Sequence, residues 1–236
     1  MSPLLGTRGG GSVRGFGRAA KAPRVYSLVA HWDMANYNGT TISDSSGNGY
    51  TATKNNGNVS TESLQGRQGV RMCCVRDVPG FTINIPNLTE ITVIAVATNS
   101  GANNGKHIFM GSSVDFNMEG GGGYDNKPSI SGNGAGFWAS GSHGPTGLYT
   151  YVLANSTSQV AEHQIRFNRS DIGIEGGGAK PSPTNSDPWT ATKFLQVDEY
   201  NGIGNMTIWE MKVFNKALLP AELATEEAYF NTKWGY

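Results

Sequence analysis

The stretch that decides the fold is MTIWEMKVFNKALLPAELATEEAYFNTKWGY, Met206–Tyr236. From Thr207 to Val213 its side chains alternate, with Trp209, Met211 and Val213 on one face and Glu210 and Lys212 on the other. That is the period of a half-buried strand. Asn215 to Leu219 then turn the chain. Pro220 suits the first helical position, where no backbone N–H is needed, and Glu222 places a negative charge in the first turn, where the helix dipole favours it. Leu223, Phe230 and Trp234 recur at i, i+7 and i+11 as one narrow apolar stripe, while Glu226, Asn231 and Lys233 can face water. The expected end of the chain is a strand with one buried face, followed by a short helix that docks its stripe.

This stretch resembles the closing strand and helix of the laminin-G-like, concanavalin-A-like jelly-roll family, in which a buried strand runs into a turn of the type seen in "FNKALL", then an acidic residue and a last helix ending in "KWG". A second piece, HWDMANYNGTTISDSSGNGYTAT from His31 to Thr53, is similar to the opening of the same family, with an aromatic and an acidic residue at a strand end before an Asp-Ser-Ser-Gly-Asn-Gly hairpin. The resemblance implies an all-β, antiparallel jelly-roll sandwich of one domain, closed by a short C-terminal helix.

Working outward, the composition agrees. The chain has 236 residues, 37% hydrophobic and 15% charged, enough to bury the core of one all-β domain. Its 33 glycines, with abundant Asn, Ser and Thr, mark many turns and little helix. Alternating or continuous apolar runs predict strands over Val25–Trp32, Arg71–Val75, Phe81–Ile85, Lys106–Met110, Val114–Met118, Gly136–Ala139, Leu148–Ala154, Gln164–Asn168, Asp171–Glu175 and Thr192–Val197. Glu90–Thr98 is apolar on both faces, as a central strand covered on both sides must be.

The first segment is a different kind of chain. Arg8, Arg14, Arg18, Lys21 and Arg24 all precede the first acid, Asp33, so the remainder carries 13 basic against 18 acidic residues although the whole chain is formally neutral. Residues 1–23 contain six glycines and no apolar run of the roughly 7 to 15 residues that a signal peptide needs. Such a segment cannot bury enough surface to fold alone. The part Gly6–Arg18, GTRGGGSVRGFGR, also resembles the N-termini of small structural proteins of tailed-phage virions. The domain division expected is an extended N-terminal assembly arm at 1–23, with contacts through Leu4, Leu5, Arg8, Arg14, Phe16 and Arg18, and a jelly-roll domain at 24–236.

Chemistry-bearing motifs are sparse. The clusters Gly120–Gly123, Gly132–Gly136 and Gly176–Gly178 lack the Gly-Lys-Ser/Thr ending and the strand-to-helix setting of a phosphate loop. Cys73 and Cys74 are adjacent in an expected strand, where side chains point to opposite faces, which argues against a disulfide between them. The four histidines show no metal spacing. Asp44 to Gly49 places oxygens at positions 1, 3 and 5 of an EF-hand loop and glycine at 6, but Asn55 stands where the bidentate carboxylate belongs, so a tight turn is the better reading. In "QVDEYNG", Asp198 and Glu199 lie on opposite faces and cannot form the carboxylate pair of a glycosidase.

Binding is harder to dismiss. Sugars stack on aromatics beside Asn, Asp and Gly loops, and Tyr124, Asp125, Asn126, Trp138 and Trp189 lie in or beside such loops, although Trp138 follows Phe137 in a strand, so that one of the two is buried. The reading is a non-enzymatic structural protein of a tailed-phage virion, a surface decoration or fibre protein held by its arm. Expected partners are other virion proteins of capsid or tail and further copies of itself, with no cofactor, metal, membrane or nucleic acid. The alternative is a carbohydrate-binding adhesin that recognises a host-surface glycan.

Overall fold

The structure is a computed structural model, and it describes residues 26–55, 58–73, 79–100, 106–111, 115–119, 127–132, 135–140, 144–154, 163–175, 189–197 and 205–236. In chain order the strands are β1 (Leu28–Asp33), β2 (Thr41–Ile42), β3 (Ala52–Lys54), β4 (Val59–Leu64), β5 (Arg67–Cys73), β6 (Pro79–Leu88), β7 (Ile91–Ser100), β8 (Lys106–Gly111), β9 (Asp115–Glu119), β10 (Lys127–Gly132), β11 (Ala135–Ala139), β12 (Thr146–Leu153), β13 (Gln164–Phe167), β14 (Ser170–Asp171), β15 (Ile174–Glu175), β16 (Trp189–Val197) and β17 (Asn205–Phe214), closed by α1 (Pro220–Trp234).

Two antiparallel sheets form. Sheet I runs β14-β13-β12-β7-β17-β5-β4, and sheet II runs β15-β11-β10-β9-β8-β16-β6-β3-β2. The ten-residue β17 carries β7 along one edge; on the other edge, Asn205–Ile208 pair with β5 and Glu210–Phe214 with β1. The expected sandwich is therefore the observed architecture.

Between the sheets lies the main core, with Trp32, Phe81, Val93, Phe109, Phe116, Tyr151 and Met211. Tyr151 ties the layers together, donating from Oη to the carbonyl of Asn117 at 2.8 Å. A second core fills the space between sheet I and α1, with Ile94, Val96, Leu148, Val152, Trp209, Phe214, Leu223, Phe230 and Trp234. Alternate residues of β7 feed the two cores, Val93 and Ala95 into the first, Ile94 and Val96 into the second. This is why its sequence is apolar on both faces.

The same double cover corrects the reading of β17. It is not half-buried: Glu210 is 0% and Lys212 8% exposed, because α1 lies over the face that the pattern left to water. Nor does Trp209 share a face with Met211 and Val213. The register with β7 shifts between Ile208 and Glu210, a bulge that puts two consecutive side chains on one side. Trp209 thereby joins the helix-side core, while Ile208, Met211 and Val213 face sheet II.

Its indole lies against the backbone of β5 at Gly69, where an added Cβ would stand 2.6 Å from both Cδ1 and Nε1. Gly69→Ala must displace a ring that is only 2% exposed, so a loss of about 1–3 kcal/mol is expected in urea unfolding. A variant within about 0.5 kcal/mol of the parent would mean that the ring has room to move.

Four strands are absent from the sequence reading, the short β2 and β3 beside the Asp44 turn and also β4 and β10. β4 is an edge strand whose residues 60–63 are all exposed, so it has no core face to produce a period. β10, Lys-Pro-Ser-Ile-Ser-Gly, has a single large apolar residue, Ile130. Cys73 is disulfide-bonded, and Cys74 is the only other cysteine in the chain, so the expectation of an unbridged pair does not hold. Cys73 is the last residue of β5, and the alternation that argued against the bond ends there.

Candidate functional site

Among the described residues, the outer face of sheet II is the one sheet surface that takes part in neither core. Its composition follows from register. Phe137, Ile130, Phe116, Phe109, Phe194 and Phe81 stand opposite one another across six adjacent strands, and Ile130, Phe116, Phe109 and Phe81 belong to the inter-sheet core. In β9 and β10 the neighbouring positions, Asn117 and Ser129, therefore take the opposite face. Trp138 pairs with Ser129, His107 with Asn117, and Gln196 with His107, so that these positions form one row in register across β11, β10, β9, β8 and β16.

Within it, Asn117 Nδ2 donates to Ser129 Oγ at 3.4 Å, and the two are 2% and 1% exposed. They form a buried polar floor, with Trp138 and His107 at the flanking register positions. Sugar recognition draws on these residue types, because the C–H faces of a sugar stack on an aromatic ring while its hydroxyls need both donors and acceptors. Sequence reasoning reached Trp138 but not the residues in register with it, because the pairing that lines them up is not written in the period of any one strand.

The other expected contacts do not collect there. Trp189 pairs with Leu88 at the far end of β16, seven residues from Gln196 and so roughly 23 Å along the strand. Tyr124, Asp125 and Asn126 lie outside the described residues, as do Asp198 and Glu199, the three glycine clusters except Gly132 and Gly136, and the arm contacts Leu4, Leu5, Arg8, Arg14, Phe16 and Arg18.

Elsewhere, polar side chains serve the fold. The Asp44 carboxylate accepts from the backbone N–H groups of His31, Ser46 and Tyr50 at 2.9, 2.8 and 2.9 Å and from the Ser46 hydroxyl at 2.8 Å. Burial works against the charged form, but these donors outweigh it and hold the carboxyl below its ordinary value. The six residues thus act as a turn that joins β1 to the hairpin. Among the described residues, no group of three or more His, Cys, Asp or Glu side chains is placed to hold a metal.

Two buried carboxylates latch α1 onto sheet I. Glu227, 1% exposed, sits in the apolar stripe four residues after Leu223 and accepts from Thr150 Oγ1 at 3.0 Å and from Arg166 Nε and Nη2 at 2.8 and 3.0 Å. Glu210 reaches the other way, from sheet to helix. It accepts from His31 Nε2, Tyr229 Oη and Trp234 Nε1 at 2.7 Å each and pairs with Lys233 Nζ at 2.8 Å. Lys233, expected to face water, bridges Glu210 to Asp33.

Neither a protein-family model nor a curated protein matches the chain. Solved structures do match it. Domain 4 of AbnA, a GH43 extracellular arabinanase from Geobacillus stearothermophilus, in complex with arabinotriose, aligns with TM-score 0.59 at 16% identity over 86% of this chain and 98% of that one. The botulinum neurotoxin type C structure, described as entering cells by interaction with two ganglioside molecules, aligns with TM-score 0.58 at 11% identity over 86% of this chain and 51% of its own. A Trypanosoma rangeli sialidase with 2,3-difluorosialic acid aligns with TM-score 0.56 at 14% identity over 85% and 32%. The chain thus spans nearly all of the arabinanase domain, about half of the neurotoxin chain and a third of the sialidase. At these identities the likeness is one of fold.

Proposed function

We propose that this chain is a non-catalytic glycan-binding sandwich domain whose recognition surface is the outer face of sheet II around Trp138. The observation that carries the proposal is the row in which Trp138 stands in register with Ser129, Asn117, His107 and Gln196. The fold is shared with the arabinanase domain that holds arabinotriose, and this supports the reading. A glycan array probed with the intact protein tests it. Binding is expected, and Trp138→Ala should weaken it by about tenfold or more, since losing a stacked ring costs on the order of 1 kcal/mol or above. An intact protein that binds no glycan, or a Trp138→Ala variant that binds as well as the parent, would overturn the proposal.

A second reading is that the domain is displayed on a tailed-phage virion, anchored by its N-terminal arm. Two observations favour it: five cations precede the first acid, and the chain enters the domain on the helix side. There the Tyr26 ring stands 5.8 Å from Phe214 and its Oη donates to Glu226 at 3.3 Å. Each exposed charge contact is worth little, so binding rests on several contacts plus Leu4, Leu5 and Phe16, multiplied by repetition on the particle. Deleting residues 1–22 should leave circular dichroism and melting unchanged and abolish copurification with virions. A truncated protein that loads onto particles as well as the intact one would place the anchor on the sandwich.

A further inference from the structure

A strand that ends a sheet presents unpaired backbone groups, and folds blunt such edges by keeping them short, charged or covered. Here β14, β15 and β2 end their sheets with two residues each. β1 pairs with β17 on one side, and its other edge is covered by the Asp44 turn: His31 N–H donates to Asp44 Oδ1 at 2.9 Å, Ser45 N–H to the His31 carbonyl at 2.7 Å and Asn48 Nδ2 to the Val29 carbonyl at 2.9 Å. The strand at the remaining end of sheet I, β4, has none of these protections. It has six residues, Val-Ser-Thr-Glu-Ser-Leu, of which 60–63 are exposed, and it contains neither proline nor lysine. Its one charge, Glu62, accepts from Thr207 Oγ1 of β17 at 2.5 Å, which draws the carboxylate back over the sheet and away from the edge.

The hairpin fixes which groups this edge offers. Its two-residue turn, Gln65–Gly66, has both residues at positive φ, 51° and 75°, the form that matches strand twist and sets register. Cys73 N–H donates to the Asn58 carbonyl at 3.3 Å, so Asn58, Ser60, Glu62 and Leu64 turn their backbone groups toward β5, while Val59, Thr61 and Ser63 turn theirs outward. Such an edge is complementary to itself. In an antiparallel pair about a two-fold axis, Thr61 exchanges both bonds with Thr61 of the second copy, and Val59 exchanges both with Ser63. This register sets Glu62 opposite Ser60, whereas one centred on Glu62 would set two carboxylates opposite each other, which is unfavourable. At the far end of sheet I, β14 has only two residues, so the pairing closes at two copies.

We propose that two copies of this chain associate through β4, joining their sheets across a two-fold axis at Thr61. The axis runs normal to the sheet, so like faces stay on the same side. On the glycan reading above, the pair therefore presents two Trp138 surfaces to one target, and avidity follows; the pairing itself does not depend on that reading. Sedimentation of the full-length protein over a concentration series tests it, and a dimer is expected. Thr61→Pro removes an N–H that faces outward, a place where an edge strand tolerates proline, and should leave circular dichroism unchanged while the protein sediments as a monomer. Thr61→Lys, which sets two cations opposite each other and leaves the hydrogen bonds of the fold alone, should also give a monomer. Cα atoms of a directly opposed hydrogen-bonded pair stand about 5.5 Å apart, within reach of a disulfide. Mild oxidation with copper phenanthroline should therefore cross-link Thr61→Cys into a covalent dimer and leave Ser63→Cys, which faces Val59, uncrosslinked. A protein that stays monomeric to millimolar concentration, or a dimer that survives both Thr61→Pro and Thr61→Lys, would overturn the proposal. Cross-linking through Ser63→Cys but not Thr61→Cys would overturn it too. So would a monomer whose Val59, Thr61 and Ser63 amides are protected from exchange, because another segment of the chain would then cover the edge.

Discussion

Glu210→Ala is expected to destabilise the protein by about 3–5 kcal/mol, the cost of removing one partner from a buried ion pair and leaving the other groups unmatched. The side chain is fully buried under α1, and its two oxygens are shared by His31, Tyr229, Trp234 and Lys233. Alanine would leave an indole N–H, a phenol and an ammonium facing a void, and only Lys233 keeps a second partner, Asp33, at 2.6 Å. Chemical denaturation of the variant reads the loss directly. A difference below about 1 kcal/mol would mean that water replaces the carboxylate at this site.

The same group makes stability depend on acid. Burial raises the pKa of Glu210, but the hydrogen bonds from His31, Lys233, Trp234 and Tyr229 outweigh it and lower the value from 4.5 to about 2. A folded-state pKa below the unfolded one contributes stability that is fully present above about pH 4.5 and is lost as pH falls toward 2. The gap corresponds to on the order of 3 kcal/mol. Asp44 is shifted in the same direction, so the whole protein loses stability over this range. The difference between parent and Glu210→Gln isolates the Glu210 share and should shrink between pH 4.5 and pH 2. A difference that stays constant with pH would remove Glu210 as the titrating group.

Trp234→Ala is expected to cost about 3–5 kcal/mol as a large-to-small change in a buried site. The ring is 1% exposed, packs with Leu223 and Phe230 in the helix-side core, lies 5.4 Å beneath the Arg67 guanidinium and holds Glu210 through Nε1. Because Trp234 and Glu210 share a hydrogen bond, the two losses should not add, and the double variant should be less destabilised than the sum. A Trp234→Ala protein within about 0.5 kcal/mol of the parent in urea would detach the stripe from the core and refute the docking of α1.

Local period in the chain carried most of the fold. The two-sided apolar run of β7 and the spacing of Leu223, Phe230 and Trp234 each report, within a few residues, which faces are buried, because a strand repeats every two residues and a helix every 3.6. The Asp44 turn was legible for the same reason, since its donors include its own neighbours. Only the tertiary structure decided the rest. A bulge, invisible in the pattern, turned Trp209 to the helix side. Glu210, Lys212 and Glu227 read as solvent-facing or were passed over because the partners that make their burial tolerable, His31, Tyr229, Arg166 and Thr150 among them, come from distant strands or from the helix. The row around Trp138 exists only through the pairing of β11, β10, β9, β8 and β16. Sequence specifies the period of each element locally, whereas register between elements is set by bulges, turns and the closing of two cores at once, and sites built across strands are written in register.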